Sequence, residues 1–226
     1  MSEEGVGEAT GRDGHTPSCA RCARPLCHFN IMEGVPVFCP NVNRPDELST
    51  AREALESDDG TKAIAREASR VEGAGYGRWT RVREVMEFAR RLGVEKIGIA
   101  FCVGLRREAR TFCEILESNG FEVVSVCCKV GSRPKEELGL DDSEKVIPGS
   151  YESYCNPVAQ ALILDGEGCG LNVLVGLCVG HDSLFFRHTR TPTTVLVAKD
   201  RVTGHNPAAV LHTADSYYSG LKNIEE

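Results

Sequence analysis

The tripeptide Cys-Val-Gly occurs twice, at Cys102 and at Cys178, each time after an apolar run and before a helix-like segment. Cys128 and Cys155 stand in comparable places, and His205-Asn206-Pro207 repeats the pattern of Cys155-Asn156-Pro157. Thiolates are soft ligands, so Cys102, Cys128, Cys155 and Cys178 could together hold an iron–sulfur cluster or, as the alternative, zinc. A second group is compact in sequence. Cys19-x-x-Cys22, Cys27 and Cys39-Pro40 place four soft ligands in 21 residues. That stretch has too little apolar content to fold alone, and bound metal would supply the missing free energy. Its single CxxC lacks the second knuckle of a zinc ribbon, and its Cys-Pro resembles ferredoxin ligation. The reading is a [4Fe–4S] cluster, with structural zinc as the alternative, in which His15 or His28 could replace a cysteine.

A different chemistry is also written here. The segment "GLCVG" has the form of a nucleophile elbow with Cys178 in place of serine. His181 or His205 could act as base and Asp200 could orient it, which makes a cysteine hydrolase or thiol-transfer enzyme the alternative reading. Against it, Asp200 and His205 share one short loop, and Cys102 has no neighbouring histidine. Cys113, Cys127 and Cys169 read as small buried hydrophobes and receive no role. "GAGYG" follows a helical segment, not a strand, so it fails the context of a dinucleotide loop. Arg78 and Arg81 beside it could bind an anion, but a first helical turn explains them, and Trp79 reads as a packing anchor.

The elements that must position these residues follow from periodicity. Residues 1–18 are polar and glycine-rich and read as a disordered tail. A four-cysteine module spans 19–45, and a helical linker spans 46–78, with two short helices broken at Asp58-Asp59-Gly60 and "EGAGYG" as a turn. From residue 79 to 226 strands alternate with helices. Thr80 caps a helix with Val82, Val85, Met86 and Ala89 on one face. "EKIGIAF", "FEVVSVCC", "LNVLVGL" and "TTVLVAK" are the strands, and Asn156-Pro157 starts a helix. The last helix should show Val210, Ala214, Tyr217 and Leu221 on one face. This is an α/β domain with a mainly parallel four-stranded sheet, and the echo of "CVG" then "CNP" or "HNP" suggests a duplicated βαβα unit. In such a sheet every strand-to-helix loop lies on the carboxyl edge. Cys102, Cys128, Cys155, Cys178 and His205 should share that edge, with Cys102 and Cys178 at the switch point.

Composition limits the rest. There are 11 cysteines, an odd number that excludes complete disulfide pairing. A net charge of -7 argues against nucleic acid or an anionic membrane as partner, leaving a redox partner or a small molecule. No apolar run approaches the roughly 18 residues of a membrane span. The start lacks an apolar signal core, so a cytoplasmic location is expected.

The segments "WTRVREVMEFARRLGVEKIGIAFCVGLRREA", "CKVGSRPKEELG", "CNPVAQA", "GLCVGHDSLF" and "KDRVTGHNP" resemble an uncharacterised cysteine-rich prokaryotic family, domain of unknown function 1847, labelled metal-binding. The resemblance runs from Cys19 to about Tyr218. It implies cysteines at the positions of Cys102, Cys128, Cys155 and Cys178 and an N-terminal cysteine group. It also implies an oxygen-poor cytoplasm, which favours iron–sulfur over zinc. It brings no activity, so the expected function is a metal-binding, iron–sulfur-type protein with a redox or electron-transfer role. A zinc-stabilised scaffold without catalysis is the third reading.

Overall fold

The computed structural model describes residues 15–224, so most of the tail expected over 1–18 lies outside the described residues. The chain divides into two compact units, one ending at Arg66 and one starting at Glu67.

In the first unit the cysteine-dense stretch forms only single 3-10 turns, Cys19–Arg21 and Leu26–Phe29, and a one-turn helix α1 (Pro40–Asn43). Of residues 15–45, Asn43 alone is buried, which agrees with the shortage of apolar side chains. Helix α2 (Pro45–Ser57) follows, and Asp58 then separates it from α3 (Asp59–Gly75). The Asp58 carboxylate accepts from Gly60 N at 3.0 Å and from the Thr61 hydroxyl, capping the start of α3. Helix α3 runs further than "EGAGYG" as a turn allows. The reason is Trp79, which folds back on the helix end; a Cβ at Gly75 would stand 2.5 Å from its ring. Gly75 therefore continues the helix because only a glycine admits the indole there. The reversal comes at Gly77, with φ +64.

The second unit is built as the periodicity predicts. Helix α4 (Arg81–Arg91) starts at Thr80, whose hydroxyl accepts from Arg83 N at 3.5 Å, and it buries Val85, Met86 and Ala89. Strand β1 (Lys96–Phe101), α5 (Arg106–Ser118), β2 (Glu122–Cys127), α6 (Pro157–Gly166), β3 (Leu171–Val175), α7 (His181–His188), β4 (Thr193–Val197) and α8 (Ala208–His212) follow. The sheet is wholly parallel in the order β2-β1-β3-β4. This is the order that two βαβα halves give when their first strands meet in the middle. β3 is buried at every position, and Ile97, Ile99, Leu105, Phe112, Leu116, Leu164 and Phe185 complete the core around it. Helix α5 packs on β1 and β2, and α6 packs on both strands and on α7.

Two local expectations change. The last helix ends at His212 instead of carrying Ala214, Tyr217 and Leu221 on one face. Thr213 turns its hydroxyl onto Ala209 O at 2.7 Å, and its amide bonds Val210 in a tighter turn, so the helical ladder stops. At the end of β2, Cys128 is the buried cysteine and Cys127 is only half-buried, the reverse of the expected alternation. Cys128 follows the buried Val126 by two residues and its amide still bonds Phe101 O at 2.8 Å, so strand alternation sets it on the inner face and Cys127 on the other.

Candidate metal centre

The carboxyl ends of β1 and β3 lie side by side, Phe101 opposite Val175. From β1 the chain crosses to β2, and from β3 it crosses to β4, so this is the switch point of the sheet, where loops part and leave a crevice. Cys102 still belongs to the ladder, donating its amide to Val175 O at 3.1 Å, and the chain then turns through Val103–Leu105. Cys128 does the same on the other side, donating to Phe101 O at 2.8 Å. The start of α6 is tied to this edge twice. Asn156 N donates to Cys128 O at 2.7 Å, and the fully buried Gln160 donates from Nε2 to Phe101 O at 3.2 Å and Val126 O at 2.7 Å. Those bonds satisfy carbonyls at the strand ends and fix Cys155, the residue just before the Asn156 cap.

The result is a chain of three sulfurs. Cys155 Sγ donates to Cys128 Sγ at 3.7 Å, Val103 N donates to Cys128 Sγ at 3.3 Å, and Cys128 is the strongest influence on the Cys102 thiol. Cys128 lies between the other two sulfurs: its thiol is pushed up by them, and theirs are lowered. The hydrogen bond from Cys128, then the Gly104 amide and the Lys199 ammonium, bring Cys102 down to about 5. The hydrogen-bonded contact between Cys155 and Cys128, then His181 and the Lys129 charge, bring Cys155 down to about 4. His181 is raised in turn, by its hydrogen bond to the Cys155 thiolate and by that charge. Burial alone would have raised both thiols, so specific partners outweigh desolvation here.

Cys178 is on the same rim but apart from this chain. It is half-buried and accepts from Arg201 Nη2 at 3.2 Å. No hydrogen bond joins it to the other three sulfurs among the described residues. Nor does the structure assemble Cys178, His181, His205 and Asp200 into a nucleophile, base and acid. His181 faces Cys155, His205 Nδ1 accepts from Asp200 N at 3.1 Å, and the Asp200 carboxylate accepts from Val202 N at 2.9 Å and Thr203 N at 3.1 Å.

In the first unit Cys19 and Cys27 are exposed, and Cys22 and Cys39 half-buried. Cys22 Sγ donates to Arg24 O at 3.1 Å, and Cys39 occupies the N-cap of α1. His15 takes part through its carbonyl, which accepts from Asn43 Nδ2 at 3.4 Å and Arg44 Nη2 at 3.2 Å, and the His28 ring meets Phe29 edge-on. No hydrogen bond joins the sulfurs of this stretch among the described residues. As they stand, no three His, Cys, Asp or Glu side chains among the described residues, here or at the rim, take positions that would hold a metal ion.

The family model described as a protein of unknown function, DUF1847, matches residues 39–196. The chain belongs to this family. An uncharacterized protein of Methanocaldococcus jannaschii is 38% identical over 208 residues, which cover 92% of this chain and 98% of that protein. Among solved structures, Dph2 from Pyrococcus horikoshii aligns with a TM-score of 0.35 and 19% identity, over 64% of this chain and 33% of its own. The same protein solved with a 4Fe–4S cluster aligns with the same score and identity, over 65% and 34%.

Sequence reasoning missed Lys129, Lys199, Arg201 and Gln160. The signal for the cations was present: each stands within four residues after β2 or β4, the positions that a parallel sheet delivers to one edge. Arg81, by contrast, is structural. It donates from Nε to Val195 O at 2.7 Å and from Nη2 to Thr194 Oγ1 at 3.1 Å along β4.

Proposed function

We propose that this family member carries a thiolate metal centre on the carboxyl edge of its sheet, held by Cys102, Cys128 and Cys155, and that the centre is an iron–sulfur cluster serving redox chemistry with a small molecule or protein partner. The observation that carries the reading is the convergence of these three sulfurs, from three separate loops, among the cations Lys129, Lys199 and Arg201. A donor set of thiolates alone suits iron–sulfur or zinc. The cations offset the negative charge that several thiolates bring, and such a cluster would supply one-electron chemistry or an open iron. Cys178, on the same rim, is the candidate fourth ligand; without it one position stays open.

Zinc is the second reading, and one distance favours it. Two thiolates each about 2.3 Å from a tetrahedral ion lie roughly 3.8 Å apart, close to the 3.7 Å between Cys128 and Cys155. His181, already against Cys155, would complete a Cys₃His set.

Anaerobic reconstitution with iron and sulfide, followed by elemental analysis and visible spectroscopy, separates the readings. Iron with acid-labile sulfide and a charge-transfer band, each falling by the rim's share in Cys128→Ser and Cys155→Ser, is the expected result. Zinc without sulfide, lost in the same variants and in His181→Ala, selects the second reading. Metal content unchanged in the two cysteine variants overturns both.

A further inference from the structure

Around the three sulfurs the chain gathers cations and gives them no carboxylate. Lys199, two residues past β4, brings its ammonium to the turn after Cys102: a Cβ at Gly104 would stand 3.1 Å from Lys199 Nζ and 3.9 Å from Cys102 Sγ. Arg201 holds Cys178 and lies within electrostatic reach of Cys102 and Cys155. Lys129 acts on Cys155 while donating to Ser153 O at 2.5 Å. Among the described residues none of these three cations is ion-paired to a carboxylate. The neighbouring acids are turned into their own loops: Asp200 onto the Val202 and Thr203 amides, Asp182 onto Ser183 N at 2.8 Å. In a chain of 33 acidic and 26 basic residues this local excess runs against the overall sign.

Charge balance shows what is left over. Three thiolates on a dication, whether zinc or an oxidised [4Fe–4S] core, carry about one net negative charge. Lys129, Lys199 and Arg201 exceed that, so a metal-loaded centre would leave positive charge facing the crevice. The loop that presents two of them is braced. Asp200 N donates to His205 Nδ1 and His205 N returns to Asp200 O at 2.8 Å, with His205 at φ +69. A residue other than glycine occupies that region only when its surroundings hold it there. His205 is thus a positioning residue, with its Nδ1 lone pair committed to the Asp200 amide and its proton on Nε2. An arginine fork recognises two oxygens of one group, and a lysine beside it adds a point charge.

We infer that Lys199 and Arg201 form an oxyanion-binding site over the thiol centre, taking a small molecule that carries a carboxylate or phosphate group. The charge argument rests on the metal reading above, so the test must separate the two. Metal-loaded protein is titrated calorimetrically with malonate and, separately, with inorganic phosphate. Lys199→Gln and Arg201→Gln should each weaken the better probe at least tenfold, compared with the parent at matched metal occupancy. Arg190→Gln, whose side chain is exposed, should bind as the parent does. Higher salt should weaken binding in the parent. Binding of malonate alone assigns a carboxylate, of phosphate alone a phosphate, and of both a general oxyanion. If neither probe binds, or if both substitutions leave binding unchanged while metal is present, the oxyanion site is overturned and the metal reading stands. If the parent takes up no metal, the metal reading falls, and the titration on metal-free protein decides the anion site by the same two variants.

Discussion

The two cysteine groups of this chain oppose closeness in sequence to closeness in space. Cys19, Cys22, Cys27 and Cys39 lie within 21 residues, yet two are exposed and their sulfurs make no hydrogen bond to one another among the described residues. Cys102, Cys128 and Cys155 span 54 residues, yet their sulfurs form one chain with a contact of 3.7 Å. The difference is the scaffold. Parallel strands deliver their ends to one edge, and the buried core behind them fixes each backbone position to the ladder. The N-terminal stretch has single turns and no apolar core, so nothing in the chain itself forces its thiols together. The fold itself brings the rim sulfurs together, whereas convergence of the N-terminal cysteines would need a bound ion to drive it.

The largest expected effect tests that contrast directly. Replacing Cys22 or Cys39 by Ser should release any metal from the N-terminal stretch and speed hydrogen exchange over residues 19–45, while the unit from Glu67 keeps its unfolding transition. Replacing Cys128 or Cys155 should remove the rim's metal without changing exchange over 19–45. If a Cys22 variant keeps its metal and its exchange pattern, the N-terminal group is not a site, and the comparison reduces to a site against a loop.

Alkylation sharpens it. In metal-loaded protein Cys102, Cys128 and Cys155 should be shielded, and Cys178 will tell its own role. Modification of Cys178 at least tenfold faster than the three would mean that it is not a ligand, and equal protection would make it the fourth. Peptide mapping after a short iodoacetamide pulse reads both.

A smaller effect concerns protons. In metal-free protein, thiolate absorption should persist down to about pH 5 for Cys102 and about pH 4 for Cys155. Folding lowers both, so between those values and the ordinary thiol range the unfolded chain binds more protons. Their contribution to stability is therefore present above that range and is lost as pH falls through about 5 and then 4. Cys128→Ala removes the first cause of both shifts, so both titrations should move up by more than one unit. Unmoved titrations would mean that the cations alone hold the thiolates.

The sequence carried the sheet and its carboxyl edge because both depend on local pattern: apolar runs of strand length, caps such as Thr80 and Asn156, and the handedness of parallel crossovers. That pattern alone places Cys102, Cys128, Cys155 and Cys178 at strand ends or helix starts on one rim. It could not say that Cys178 would pair with Arg201 and stand apart, or that His181 would meet Cys155, since those depend on how separate loops close against one another. The helix runs through Gly75 against the local glycine pattern because the deciding contact belongs to Trp79, four residues later. Apolar spacing extends the last helix too far because it carries no sign of the Thr213 hydroxyl that takes Ala209 O.

The smallest effect asks how finely the scaffold sets the rim. Asn156 caps α6 through Oδ1, which accepts from Ala159 N at 2.9 Å, and its own amide holds Cys128 O. Asn156→Ala removes the side-chain cap and leaves the main-chain bond, so the second unit should lose about 1 kcal/mol. Asn156→Ser, which can cap in the same way, should lose much less. Cys155 is the residue next to the cap and the sulfur 3.7 Å from Cys128. A loosened first turn should therefore also raise the Cys155 titration and slow metal loading in the alanine variant alone. A loss of stability without either change would show that the backbone tie at Cys128 and the Gln160 bridge hold Cys155 by themselves. The cap would then belong to the fold and not to the site.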